Sequence, residues 1–161
     1  RPYSTGFDSG SADSVCTLVE GVEGLIQVTT ANGPFAGSHH LTMDDSVNGG
    51  SFSTNSASLK VNASTQSQIT LSFRWKHFSD ETHTQDGVFI SGNGGASFTK
   101  IYDLNGGSTP ANQWQNVTID LDQAAASAGV GLTSTFVIRI QQHDNWGITS
   151  DGFAIDSVTV N

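Results

Sequence analysis

Positive charge, cysteine and long apolar runs are all scarce in this sequence, and each scarcity excludes a class of protein. Only 6 Lys and Arg stand against 15 Asp and Glu, so a net charge of −9 argues against nucleic-acid and anionic-membrane partners. A single cysteine, Cys16, excludes an intramolecular disulfide framework. No apolar run approaches the roughly 20 residues that span a bilayer. These absences favour a protein that has no membrane-spanning segment and whose partner is neither a nucleic acid nor an anionic membrane.

Charged residues of either sign are also few, at 13% of the 161 residues against a usual share of about 25%. Ser, Thr, Asn and Gly take their place. This composition is typical of a polar, β-rich extracellular protein and not of a cytosolic helical enzyme. We therefore expect a secreted protein whose export signal has been removed or lies upstream of Arg1.

Short stretches that alternate apolar and polar residues run from end to end of the chain. Within 69–78, apolar residues such as Trp75 alternate with polar ones such as Arg74, as expected for a strand with one buried face. The same period of two recurs in 114–121 and 134–142. Further strands are predicted at 14–20, 24–29, 38–43, 57–62, 87–91, 97–103 and 152–160. Many short strands separated by Gly, Asn and Ser turns predict an all-β, antiparallel two-sheet β-sandwich.

One short helix and no linker complete the prediction of the fold. Residues 122–129 (DQAAASAG) predict a helix that Asp122 caps and Gly129 ends. This helix is too short to carry the fold. Because no shift in composition divides the chain, we expect one domain over 1–161.

Acidic residues concentrate in the predicted connections between strands. Successive strands of an antiparallel sandwich run alternately up and down, so four connections would meet at one end: 44–56, 79–86, 104–113 and 143–151. Those segments and their borders hold Asp44, Asp45, Asp80, Glu81, Asp86, Asp103, Asp144 and Asp151. Carboxylates this close repel one another, and the four connections contain no Lys or Arg. Oxygen ligands in such a cluster suit a hard divalent cation, Ca²⁺ first, although acidic loops can also be solvated and bind nothing.

Several segments carry a resemblance to a known group of modules. They are 6–10 (GFDSG), 41–46 (LTMDDS), 78–83 (FSDETH), 86–91 (DGVFIS), 141–145 (QQHDN) and 151–160 (DGFAIDSVTV). The chain resembles MAM-like and jelly-roll carbohydrate-binding-type modules of secreted, multi-modular bacterial proteins. The resemblance implies a jelly-roll topology and attachment to a polysaccharide-degrading enzyme or a surface protein.

The same resemblance implies a second calcium site that joins the two ends of the chain. In similar carbohydrate-binding modules, an acidic residue after the first Phe and one in the last strand share a structural Ca²⁺. Asp8 and Asp156 match those positions. Glu is frequent at the first of them, and Asp8 has a shorter reach. The alternative for Asp156 is a carboxylate that is hydrogen-bonded within the fold.

Arrangements typical of catalysis do not fit the sequence. His77 and His83 are six residues apart and run from a strand into a loop, whereas a zinc protease needs His-Glu-x-x-His on a helix. No Gly-x-Ser-x-Gly elbow occurs, and Cys16 lies in an apolar stretch suited to packing. Asp80 and Asp144 could form a glycosidase pair only without a cation between them, since bound Ca²⁺ would keep both ionised.

Aromatic, basic and amide side chains suit the recognition of a sugar. Trp146 lies in a polar loop where it could stack on a pyranose ring or act as a lid, whereas Trp75 is predicted to lie in the core. Half of the 6 basic residues lie on the polar sides of two long strands. If those strands share a sheet, the residues form a basic strip suited to an anionic polysaccharide, and if not there is no strip. The strip would consist of Arg74, Lys76, Arg139, Gln141 and His143.

These observations together predict a non-catalytic, secreted carbohydrate-binding module with loops stabilised by Ca²⁺. Such a module would target a larger polysaccharide-degrading enzyme to its polysaccharide, neutral or anionic, and would be monomeric within that chain. One alternative is a MAM-like adhesion module that binds a protein partner at a bacterial cell surface. Another is a hydrolase of unrecognised type, which would need two facing carboxylates without a metal between them.

Overall fold

Two antiparallel sheets stack on each other in the computed structural model, which describes residues 2–161. The strands are β1 (Tyr3–Thr5), β2 (Cys16–Val19), β3 (Gly24–Thr29), β4 (His40–Asp45), β5 (Ser53–Val61), β6 (Thr70–His77), β7 (Gly87–Ser91), β8 (Thr99–Asp103), β9 (Gln115–Asp120), β10 (Phe136–Asp144) and β11 (Phe153–Val160). Sheet A has the order β3-β4-β11-β6-β9, with β1 also paired to β11. Sheet B has the order β2-β5-β10-β7-β8. The predicted all-β, two-sheet β-sandwich is therefore confirmed.

Each of the ten predicted strands is present. The structure differs from the prediction in one additional strand and in the start of another. The three-residue strand β1 was not predicted, because three residues are too few to show a period of two. Strand β5 begins at Ser53, four residues before the predicted start at 57, because its first part is polar. No helix in residues 2–161 is long and apolar enough to cross a membrane.

The single α-helix, α1 (Leu121–Ala128), corrects the predicted cap. Asp120, and not Asp122, is the N-cap residue, and its carboxylate accepts the Gln123 N–H at 2.9 Å. Asp122 instead accepts the Ile69 N–H at 2.6 Å and ties the helix to the start of β6. Gly129 ends the helix in the left-handed conformation, as predicted.

Apolar side chains from both sheets fill the space between them. The largest fully buried ones include Phe73, Phe136, Phe153, Leu41, Ile138 and Ile155. Strand β11 contributes inward residues on both sides of a bulge between Asp156 and Thr159. The extra residue at Ser157 (φ 50°) shifts the phase, so that Ile155 and Val158 both face the core.

Candidate functional site

A buried polar layer continues the apolar core towards one end of the sandwich. In β10 the inward positions of the core, such as Ile140, are followed at the same period by Gln142 and Asp144, which are 0% and 1% exposed. In the neighbouring strand β5, Asn55 pairs with Gln142 and Ser53 pairs with Asp144. The strand pattern therefore brings a carboxylate into the interior at this end.

Three carboxylates converge in this layer. One oxygen from each of Asp80, Asp144 and Asp151 lies within 4.8 Å of the others, and all three residues are buried. The loop before β11 positions two of them through Gly152, whose N–H donates to Asp80 at 3.2 Å and to Asp151 at 3.1 Å. Gly152 has a φ of 102°, and a Cβ there would lie 2.8 Å from the Cβ of Asp44, so this turn requires glycine. We call Asp80, Asp144 and Asp151 the acidic cluster.

Buried oxygens in and beside the acidic cluster lack a hydrogen-bond donor. Among the described residues, Asp80 Oδ1, Asp144 Oδ2 and Asp44 Oδ1 have no partner. Burial, followed by the neighbouring carboxylates, raises the pKa of Asp80. Burial also raises the pKa of Asp44 to about 6, and Asp144 adds to that shift. Buried, unpaired acceptors are costly, so the arrangement favours protons or a cation at the cluster.

The acidic cluster fits the chemistry of Ca²⁺ better than that of a transition metal. Its donors are all carboxylate oxygens, which hard cations prefer, whereas Zn²⁺ sites are built mainly from His nitrogen and Cys sulfur with carboxylates as occasional partners. With Ca–O distances of about 2.3–2.6 Å, two ligands of one ion lie at most about 5 Å apart. The oxygen separations of up to 4.8 Å are within that span. Asp44 lies outside this group, where its Oδ2 accepts the Ile148 N–H at 2.7 Å and its Oδ1 has no partner.

The other predicted ligands at this end have different surroundings. Both oxygens of Asp86 accept backbone N–H groups at 2.7 Å, from His83 and His143, so Asp86 ties a loop to β10. Asp45 accepts the Val47 N–H at 2.8 Å and keeps one oxygen unpaired. Glu81 is exposed and lies 3.6 Å from the His83 imidazole.

Asp8 and Asp156 hold a loop and lie outside the acidic cluster. Asp156 is fully buried, and its Oδ2 accepts the N–H groups of Phe35 and Ala36 at 2.8 and 3.1 Å. Asp8 Oδ1 accepts the N–H groups of Ser38 and His39 at 2.6 and 3.1 Å. The backbone donors of 35–39 therefore bind both carboxylates, which matches the alternative of a carboxylate hydrogen-bonded within the fold. The calcium assigned to this pair stays a prediction.

The predicted basic strip does not form, because its residues belong to different sheets. Arg74 and Lys76 lie on β6 in sheet A, whereas Arg139, Gln141 and His143 lie on β10 in sheet B. Strand pairing is set by contacts distant in sequence, and both strands have the same apolar pattern. The two groups of residues therefore face opposite sides of the sandwich.

Lys76 is a buried anchor for a loop over sheet A and not an exposed sugar contact. It is 6% exposed, and its ammonium donates to Asn32 O at 2.6 Å and Gly33 O at 3.0 Å. The ammonium also lies 4.6 Å from the ring centroid of Trp114, whose indole N–H donates to Gly33 O at 3.2 Å. Burial lowers the pKa of Lys76.

Replacing Lys76 tests this structural role. Lys76→Met keeps the apolar stem but leaves the carbonyls of Asn32 and Gly33 without their donor, so we expect a loss of about 1–3 kcal/mol in the free energy of unfolding. Urea denaturation measures this loss, with Lys60→Met at an exposed position of β5 as the control. A variant of unchanged stability that loses affinity for a sugar would show instead that Lys76 contacts ligand.

The outward face of sheet B carries aromatic, imidazole, amide and guanidinium groups. The Phe52 ring, 50% exposed, stacks on the His143 imidazole at 5.1 Å and 10°, and His83 packs edge-on to both. Gln141 Nε2 donates to Gln85 O at 2.8 Å. Further along β10, the Arg139 guanidinium lies 3.6 Å over the Phe98 ring. We call Phe52, His83, Phe98, Arg139, Gln141 and His143 the sheet-B face.

The three tryptophans have three different environments. Trp75 is buried in the core, as predicted, and it packs edge-on to Phe153 at 5.2 Å. Trp146 is 43% exposed in the loop between β10 and β11, and its ring lies against Gly49. It thus covers a neighbouring loop with one side and faces solvent with the other. Trp114 packs against His40 at 5.7 Å, beneath the loop over sheet A.

Phe52, Phe98 and His83 were not among the predicted sugar contacts. Phe52 lies in a predicted connection, just before β5, and Phe98 lies at the second position of the predicted strand 97–103, which in the structure begins only at Thr99. His83 lies in a loop whose path depends on Asp86. A signal for Phe52 was its place among Ser, Gly and Thr, where an aromatic side chain is difficult to bury.

Comparisons with known proteins reveal relatives in structure and not in sequence. No family model matches this chain, and no curated protein matches it. The K2 cleaved adhesin domain of Lys-gingipain is similar with a TM-score of 0.62 and 14% identity, covering 100% of this chain and 99% of that one. TmCBM61, solved in complex with beta-1,4-galactotriose, is similar with a TM-score of 0.56 and 14% identity, covering 97% and 93%. The family 11 carbohydrate-binding module of a cellulosomal cellulase of Clostridium thermocellum has a TM-score of 0.53 and 11% identity, covering 98% and 94%. The chain thus has the β-sandwich fold of carbohydrate-binding modules and adhesin domains.

Proposed function

We propose that this protein is a non-catalytic carbohydrate-binding module that binds a polysaccharide on the sheet-B face. The observation that carries the proposal is the stack of the exposed Phe52 ring on His143, in line with Gln141 and Arg139 along β10. An aromatic ring packs against the C–H groups of a sugar, and amide and guanidinium groups pair with its hydroxyls. Two of its structural neighbours are carbohydrate-binding modules, which supports the same function here.

A structural role suits the acidic cluster better than catalysis. Asp80, Asp144 and Asp151 are each 4% exposed or less, so a polysaccharide chain cannot reach them. Bound Ca²⁺ would hold the loops that carry Asp80 and Asp151 against β10, and Asp144 and His143 are consecutive residues of that strand. The ion therefore stabilises the end of the sandwich beside the Phe52–His143 stack. In a secreted multi-modular protein, such a module would target a polysaccharide-active enzyme to its polysaccharide.

A matched pair of phenylalanine variants tests where the sugar binds. Affinity electrophoresis with Ca²⁺ in gels that contain neutral or anionic polysaccharides first identifies a ligand. We expect Phe52→Ala to weaken binding by about tenfold or more, the equivalent of about 1.4 kcal/mol. Phe35→Ala is the control, because Phe35 is similarly exposed (43%) but packs on Trp114 over sheet A. Equal losses in both variants, or a loss confined to Phe35→Ala, would contradict a site on sheet B.

The second candidate is an adhesion module, which the similarity to an adhesin domain and the apolar loops at one end favour. Val22, Val47 and Trp146 are 80%, 45% and 43% exposed in connections between strands. An apolar surface of this kind suits a protein partner when its side chains form a continuous patch. Adhesion would be favoured over the carbohydrate function if the protein bound no polysaccharide but bound a bacterial surface protein saturably. Val47→Ser should then weaken the binding of that protein.

A further inference from the structure

The outward side of sheet B, which includes the sheet-B face, carries an unusual share of the positive charge of this acidic protein. Lys60, Lys100 and Arg139, half of the 6 Lys and Arg, lie on outward positions of β5, β8 and β10. Within the five strands of sheet B, Asp103 is the one acidic residue on an outward position, and it pairs with Lys100. In a protein of net charge −9, the outward charges of these five strands are thus positive apart from the Lys100–Asp103 pair, while Glu81 lies beside His83 at the loop end of the face.

Arg139 has no carboxylate partner among residues 2–161, although the chain has 15 Asp and Glu. Its guanidinium carbon lies 3.6 Å from the centroid of the Phe98 ring, and its Nε–H donates to Ser58 Oγ at 3.3 Å. The ring contact and this hydrogen bond hold the group in place, while its two terminal nitrogens have no acceptor within the described chain. A guanidinium fixed in this way is preorganised to bind a carboxylate or sulfate with two parallel hydrogen bonds.

A second cation lies beside Arg139 on the neighbouring strand. Lys60 pairs with Val137 in the β5–β10 register, so it is the diagonal neighbour of Arg139 on the same face. Diagonal neighbours in adjacent strands are about 7–8 Å apart at their Cα atoms. A flexible ammonium at this distance can pair with the same anion or with the next one along a polymer.

We propose that the polysaccharide is an acidic one, whose uronate or sulfate groups bind Arg139, with Lys60 as a second contact. This inference rests on the proposed carbohydrate function and specifies the class of its ligand. The stack of Phe52 on His143 and the Gln141 amide would contact the uncharged rings and hydroxyls of the sugar.

Calorimetric titration with matched sugars tests the inference. The ligands are short oligogalacturonates, their carboxyl-reduced neutral counterparts and sulfated galactan oligosaccharides. We expect at least one anionic ligand to bind about tenfold or more tightly than the neutral one, with an affinity that falls as NaCl is raised. Uronate and sulfate arms identify which anion the face selects.

Arginine variants assign the effect to Arg139. We expect Arg139→Gln to weaken binding of the anionic ligand about tenfold or more, and to weaken it more than binding of the neutral counterpart, so that the preference for the anion is lost, with Arg139→Lys between the variant and the wild type. Arg74→Gln is the control, since Arg74 also lies over a phenylalanine, Phe35 at 4.4 Å, but on sheet A. Neutral sugars that bind as tightly as anionic ones would overturn the inference and leave the carbohydrate function standing. Binding of no sugar at all would overturn both, and a loss in Arg74→Gln alone would place the anion on the other sheet.

Discussion

Adding Ca²⁺ to the metal-free protein at pH 7.5 is expected to raise Tm by about 5–10 °C. At a hundredfold excess over Kd, an ion that binds only the folded state adds about 2.7 kcal/mol, and 1 kcal/mol raises Tm by about 2–4 °C in a domain of this size. The physical reason is the acidic cluster, whose unpaired buried oxygens gain a cation. Differential scanning calorimetry with chelator and with Ca²⁺ measures the shift.

The same experiment at pH 5 should show a smaller effect of Ca²⁺, because protons compete with the ion for the acidic cluster, where burial and then the neighbouring Asp144 raise the pKa of Asp151 to about 8. Burial raises the pKa of Asp44 and of Asp86 from 3.8 to about 6, so the folded, metal-free protein binds protons there that the unfolded chain has released. Their stabilising contribution is present below about pH 4 and is lost as pH rises through 6. Asp8 stays ionised over this interval, because the N–H groups of Ser38 and His39 lower its pKa. A metal-free Tm that rises from pH 5 to pH 7.5, or a Tm that Ca²⁺ leaves unchanged at both pH values, would contradict the account.

Replacing one carboxylate of the acidic cluster should have opposite effects with and without Ca²⁺. Asp80→Asn resembles the protonated acid that the metal-free fold favours, so at pH 7.5 with chelator we expect the variant to be more stable than the wild type by about 1–3 kcal/mol. At a thousandfold excess of Ca²⁺ over Kd, which adds about 4.1 kcal/mol to the wild type, the order should reverse, because the variant loses a charged ligand and most of the gain from the ion. Chemical denaturation in both conditions measures the crossover.

Asp103→Asn is the control for this crossover. It removes the same charge from the end of β8, where the side chain is 75% exposed and pairs with Lys100. Surface substitutions of this kind change stability by about 0.5 kcal/mol or less. Because Asp103→Asn keeps the acidic cluster, its difference in stability from the wild type should be the same with chelator and with Ca²⁺. If Asp80→Asn were destabilising in chelator, or gained as much stability from Ca²⁺ as the wild type, the acidic cluster would not hold the ion.

The fold was predictable because the strands repeat one simple pattern. The alternation that predicted β6 and β10 also places Asp144 in the interior, since Phe136, Ile138 and Ile140 lead at the same period to Gln142 and Asp144. The polar start of β5 escaped prediction for a related reason. Ser53 and Asn55 face a polar layer and not an apolar core, so no apolar residue marks their inward side.

The candidate site was harder to predict, because it depends on which strands share a sheet. Arg74 and Arg139 have equivalent positions in their own strands, and only the pairing of β6 with β11 and β10 with β5 separates them. Phe52 reaches His143 through the turn before β5, and the sequence carries no period that would indicate this contact. The acidic residues were predicted to gather at one end, but several of them are buried there, and the close approach of their side-chain oxygens is what distinguishes Asp80, Asp144 and Asp151.

Mapping the bound sugar on the protein tests the central claim most directly. The measurement is a ¹H–¹⁵N NMR titration of the Ca²⁺-loaded protein with an oligosaccharide that affinity electrophoresis has identified. We expect the largest shift changes at the amides of β10 around Gln141 and at the side chains of Arg139 and His143 on the sheet-B face. Chemical-shift changes confined to Arg74 on sheet A and Phe35 in the loop over it, or to the loop of Trp146, would contradict the assignment of the binding surface to sheet B.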